Sequence, residues 1–145
     1  MIGSMWRALA LTASFSLIIS NGTAMAHNHF APLKGKWLSV DEEGYRFGAV
    51  THGNAIGEPQ SVNDNERTWI LDIEMQDRAG VKGTWGSDTK RELILGVIRA
   101  DNKTIVFADE DSYLTGVLLS ETEMELCAQE AGDAIIAQCH LLKKQ

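Results

Sequence analysis

Short apolar runs rich in Val, Ile, Thr, Trp and Leu recur from residue 34 to the end of the chain, divided by clusters of Gly, Asp and Asn. Such runs suit a pleated, half-buried surface. Strands are predicted over 34–40, 45–51, 68–76, 81–85, 92–99, 104–108, 113–119, 124–130 and 135–142. Turn chemistry falls between them at Asp41-Glu42-Glu43-Gly44, Asp77-Arg78-Ala79-Gly80, Gly86-Ser87-Asp88, Asp101-Asn102-Lys103, Asp109-Glu110-Asp111 and Gly132-Asp133. In the stretch that most invites a helix by composition, Met124, Leu126 and Ala128 alternate with Glu125, Cys127 and Gln129. That is period two, the signature of a strand. Pro32 and Pro59 interrupt no predicted strand. The pattern predicts an all-β fold, an antiparallel meander of about eight or nine strands closed as a sandwich or small barrel. One stretch departs from it: 52–66, HGNAIGEPQSVNDNE, has no clear period and reads as a long loop, either a functional lid or a mobile connection.

The first 26 residues have a different pattern. Arg7 is the one charge ahead of the apolar run ALALTASFSLIIS, and Ala24-Met25-Ala26 supplies the small-x-small site of signal peptidase. The run is about 13 residues, short of the roughly 20 that span a bilayer. Residues 1–26 are therefore predicted to be a signal peptide and 27–145 a single β-barrel domain in the periplasm or outside the cell. No cysteine follows the run to anchor a lipid.

Charge narrows the partners. The chain carries a formal −7, and removing Arg7 with the leader makes it −8. An acidic domain is poorly suited to nucleic acid, where Lys and Arg contacts dominate, and to anionic membrane surfaces. The mature chain is expected to bind no nucleic acid and to insert in no membrane. Asn102-Lys103-Thr104 matches the N-glycosylation pattern, which matters only in a eukaryotic host.

Gly35-Lys36-Trp37 opens the first predicted strand as Gly-x-Trp, ahead of the meander. The chain in this respect resembles the calycins, the small up-and-down barrels that include lipocalins and avidins. Gly83-Thr84-Trp85, Leu95-Gly96-Val97-Ile98-Arg99, the stretch 109–116 and Met124-Glu125-Leu126-Cys127 are similar to a group of small exported bacterial proteins of unassigned function. The resemblance implies that Trp37 plugs one end of the barrel, with Lys143 or Lys144 covering it. It implies no ligand. The C-terminal helix of lipocalins is missing, and the biotin-contact pattern of avidins is not recognisable.

No nucleophile elbow, zinc-protease helix, phosphate loop or Cys-x-x-Cys occurs in the chain, so an enzyme is not expected and no cofactor is implied. Asp109-Glu110-Asp111 reads as a solvated turn or a weak Ca²⁺ site. An eight-stranded barrel is just wide enough to be filled or to hold one small ligand. Trp69, Trp85, Phe107 and Tyr113, with Tyr45 and Phe47, are the aromatics available to line it, while Gly83, Gly96 and Gly116 either make room or permit sharp coiling. The leading expectation is a non-enzymatic binding protein for a small apolar or aromatic ligand, contacted by Trp69, Trp85 and Tyr113 under the 52–66 loop. The alternative is a packed barrel that engages an envelope or secreted protein. A third reading rests on cleavage after Ala26. The new terminus His27-Asn28-His29 then offers an amine, two amide nitrogens and the His29 imidazole, a square-planar set for Cu²⁺ or Ni²⁺, with His27 as a competing ligand.

Cys127 and Cys139 form the expected disulfide of an oxidising compartment, subject to register. A two-residue turn at Gly132-Asp133 sets Cys127 against Gln138 and points the cysteines to opposite faces. It also gives the cleaner pattern, with Ala137, Cys139 and Leu141 inward. A three-residue loop, Gly132-Asp133-Ala134, sets the cysteines directly opposite one another.

Overall fold

The computed structural model describes residues 30–48, 58–62, 67–132 and 134–145. Nine strands follow one another: β1 (Gly35–Gly48), β2 (Gln60–Val62), β3 (Trp69–Asp77), β4 (Gly80–Ser87), β5 (Arg91–Ile98), β6 (Thr104–Ala108), β7 (Tyr113–Leu118), β8 (Glu123–Ala131) and β9 (Ala134–Lys144). All pairings are antiparallel. The order runs β2-β1-β3-β4-β5-β6-β7-β8-β9, and β9 pairs back onto β1. Eight strands thus close a barrel, with β2 as an extra strand on β1. The all-β meander predicted from the pattern is the observed fold.

The first predicted turn is not a turn. Strand β1 runs straight through Asp41-Glu42-Glu43-Gly44, fusing two predicted strands into one. The register against β9 slips between Ser39 and Asp41, a β-bulge. Strict alternation from the buried Trp37 would aim Ser39, Asp41 and Glu43 inward. The extra residue reverses the phase, so Glu42 is buried instead and Asp41 and Glu43 are exposed. The lower part of β1 pairs with β3 through Leu38↔Ile70, whereas its upper part pairs with β2 at Gly44↔Val62. That short strand lies inside the stretch read as a loop.

The lower half of the barrel is packed. Trp37, Leu71, Ile73, Ile94, Ile105, Leu114, Met124, Leu126 and Leu142 are buried there with Phe107. A Cβ at Gly96 would run into the Phe107 ring and Val81, and one at Gly116 would meet Met124 Sδ at 3.0 Å and Phe107 Cε2 at 3.1 Å. The space those two glycines leave is filled by neighbouring side chains rather than left for a ligand.

The segment before β1 seals this end. Gln76 on β3 accepts from Leu33 N at 2.8 Å and donates to Ala31 O at 2.9 Å. Trp37 Nε1 donates to Leu33 O at 2.9 Å. The Lys144 ammonium lies 5.2 Å from the centre of the Trp37 ring and donates to Pro32 O at 2.7 Å. Of the two lysines offered by the resemblance, Lys144 is the one over Trp37. Lys143 instead pairs with Glu123 at 3.4 Å.

The turn between β5 and β6 is held by its own residues. Asp101 accepts from Thr104 Oγ1 at 2.7 Å and from the amides of Thr104 and Lys103, which hold its carboxyl down at about 2. In the last hairpin Ala131 opposes Ile135, leaving three residues between, and Cys127 opposes Cys139 in a disulfide. The three-residue register is therefore the observed one. It reverses the facing of β9: Ala137, Cys139 and Leu141 point outward, and Gln138, His140 and Leu142 point in.

Candidate functional site: the open half of the barrel

Above the packed half the interior changes character. The inward positions become Glu42 on β1, Trp69 on β3, Trp85 and Ser87 on β4, Glu92 on β5, Glu130 on β8, and Gln138 and His140 on β9. Of these, Trp69, Trp85, Ser87, Glu92, Glu130 and Gln138 line a cup of about 460 Å³ whose wall also takes in Arg67, Lys90, Asp109, Asp111 and Ser112, while Glu42 and His140 support the indoles from outside it. A polar interior in a barrel this small is not needed for packing, because the lower half already holds the core.

Its aromatic wall is a triad. Trp69 and Trp85 stack with centroids 5.4 Å apart and planes 20° apart. His140 packs against both, at 5.3 Å from Trp69 and 5.2 Å from Trp85. Neighbouring strands supply the two indoles, Leu71↔Trp85 and Trp69↔Ser87 being registered pairs of β3 and β4. Trp69 Nε1 donates to Glu42 Oε2 at 3.1 Å, so the bulge that turns Glu42 inward also fixes the indole.

His140 is 0% exposed. Gln138 Nε2 lies 3.2 Å from His140 Nε2. With the amide donating, the imidazole proton sits on Nδ1, which is buried and has no partner among the described residues. Burial penalises the charged ring and lowers its pKa from 6.5 to about 4. At neutral pH the imidazole packed against the two indoles is uncharged.

The rim is charged and internally tied. Lys90 Nζ meets Glu92 Oε1 at 2.6 Å, which raises the lysine pKa. Asp109 Oδ1 accepts from Ser112 N at 2.6 Å and from Ser112 Oγ at 2.8 Å. Carboxylate oxygens of Glu92, Asp109 and Asp111 lie within 4.8 Å of one another. That group fits a cation poorly: the Lys90 ammonium already sits on Glu92, and Ser112 takes both oxygens of Asp109. Ser87 Oγ accepts from the amides of Thr89 and Lys90 and holds the turn that carries Lys90.

Of the three aromatics predicted for the ligand, Trp69 and Trp85 come together on this wall. Tyr113 does not: it faces outward on β7 and is 77% exposed. Tyr45 and Phe47 also face outward, and Phe107 belongs to the packed half. His27 and His29 lie outside the described residues. Sequence reasoning missed Glu42, Gln138 and His140. The signal for the last two was present in the cysteines, since opposing Cys127 and Cys139 on one face puts Gln138 and His140 on the other. The chain matches no protein-family profile and no curated protein.

Proposed function

We propose that this chain is an exported, non-enzymatic binding protein that holds a small ligand in the open half of its barrel. The observation that carries this reading is the stacked Trp69–Trp85 pair on the wall of a cup of about 460 Å³ ringed by polar side chains. Pockets of that kind hold an apolar face and orient it with a few polar groups. The lining carboxylates Asp88, Glu92, Asp109, Asp111 and Glu130 outnumber the cations Arg67 and Lys90. The ligand is therefore a planar aromatic molecule that also carries a positive charge or several donors, rather than a purely apolar one. Binding is favoured over catalysis because the acids are tied to partners within the protein: Glu42 to Trp69, Glu92 to Lys90 and Asp109 to Ser112. Export rests on the leader-like residues 1–26, and the Cys127–Cys139 bond is compatible with an oxidising compartment.

Two probes of one shape and opposite charge test the reading. Cationic 9-aminoacridine should quench tryptophan emission saturably, and anionic anthracene-9-carboxylate should bind more weakly. Trp85→Ala should abolish the difference. Linear, non-saturating quenching by both probes, or a Trp85→Ala variant that binds 9-aminoacridine as tightly as the wild type, removes the cup as a ligand site.

A further inference from the structure

The outer surface of β7, β8, β9 and β1 carries a second feature, independent of the cup. Tyr45, Ala137, Gln129 and Tyr113 stand in one row across these four strands, each registered to the next. With strands about 4.8 Å apart, the two tyrosines stand roughly 14 Å from one another. Between them the floor is Gln129 beside Tyr113, Ala137 beside Tyr45, and the Cys127–Cys139 disulfide in the row below. Phe47, Ile135 and Ala131 form the row above. Tyr45 is 64%, Tyr113 77% and Ile135 55% exposed. The groove between the tyrosines measures about 990 Å³.

Charge identifies what fits it. Glu43 and Glu125 are the outward carboxylates that line the groove, and among the described residues no lysine or arginine does. Glu43 heads the row that contains the disulfide, and Glu125 lies one row further down beside Leu141. A mostly apolar floor bordered by carboxylates on a chain of net charge −7 disfavours a second copy, which would oppose acid to acid. It suits a segment whose aliphatic side chains are flanked by Lys or Arg. Tyrosines at both ends supply rigid amphipathic anchors of the kind that carry binding energy in protein interfaces.

We propose that this face docks a protein partner through a basic, aliphatic segment seated between Tyr45 and Tyr113. The site is separate from the cup, so the proposal stands whether or not the cup binds a small molecule.

The test uses an acetylated peptide of alternating Lys and Leu, one with Glu for Lys, and one with Ser for Leu, titrated calorimetrically and mapped by amide chemical shifts. The Lys/Leu peptide should bind one to one. It should weaken by about tenfold in the Tyr45→Ser/Tyr113→Ser variant, and weaken again between about 50 mM and 500 mM salt. The Glu/Leu peptide should not bind. Both tyrosines are exposed, so the variant should keep its urea midpoint, and Tyr45→Phe should keep its affinity. The proposal is overturned by no saturable binding of the Lys/Leu peptide. Equal binding of the Lys/Ser peptide, which would indicate only diffuse charge attraction, also overturns it. So do shifts confined to the residues of the cup, or sedimentation of the protein as a dimer that protects this face.

Discussion

The indole N–H of Trp69 donates to Glu42 Oε2 at 3.1 Å, across the seam where β1 parts from β3. Glu42 is only 6% exposed, and it reaches this position because the bulge between Ser39 and Asp41 reverses the phase of the strand. A local irregularity of the backbone therefore sets the orientation of the aromatic wall.

Glu42→Ala removes the acceptor and leaves a half-buried N–H unpaired, which costs about 1–3 kcal/mol. Glu42→Gln keeps an acceptor and should cost less. Urea unfolding measures both. The Ala variant should also weaken probe binding in the cup, because Trp69 loses its fixed plane. An Ala variant with unchanged midpoint and unchanged probe affinity would show that the contact orients nothing.

The buried imidazole makes stability depend on pH. His140 has its pKa lowered to about 4 by burial, against 6.5 when exposed. Between those values the unfolded chain binds the proton and the folded one does not, so stability rises with pH there. The contribution is complete above about pH 6.5 and is lost as pH falls toward about 4, to a limit on the order of 3 kcal/mol. Urea midpoints at pH 7.5 and 4.5 should differ more in the wild type than in His140→Gln. A variant that retains the full slope assigns the effect to other groups.

At the opposite end, Lys144 contributes through its position over Trp37 and its bond to Pro32 O. Lys144→Met retains the aliphatic stem but loses the ammonium. It should destabilise by about 1 kcal/mol. Trp37→Ala should cost about 3–5 kcal/mol, because it opens a cavity in the packed half. Thermal or urea unfolding reads both, and equal costs would contradict a plug whose main role is volume.

Much of the architecture was legible because strands declare themselves by period and composition. The runs around Leu71, Trp85, Ile94 and Phe107 all became strands. The site was less legible because it depends on phase. Asp41-Glu42-Glu43-Gly44 has the composition of a turn, and only the pairing with β9 shows that it is a bulged strand. Tyr113 has the composition of a pocket residue, yet in β7 it alternates with the inward Leu114 and so faces solvent. In β9 the hydrophobic pattern favoured Ala137, Cys139 and Leu141 as core, while the covalent constraint favoured the other face. The constraint agrees with the observed register, and a one-residue slip moves every side chain.

That competition between two registers of β9 gives the last prediction. The Cys127–Cys139 bond joins residues separated by 12 positions, and removing it should cost about 3 kcal/mol by the chain-entropy model. The register itself should survive. Strand β9 is paired to β1 from Trp37 to Gly48 as well as to β8, and His140 packs against both Trp69 and Trp85. Slipping by one residue would turn His140 and Gln138 out of the barrel interior and leave the two indoles without their third ring. A Cys127→Ser/Cys139→Ser variant should therefore unfold at lower urea yet still show nuclear Overhauser contacts between His140 and both Trp69 and Trp85. Contacts from Cys139→Ser to Leu126, with His140 exposed to solvent, would mean that the disulfide alone selects the register that builds the site.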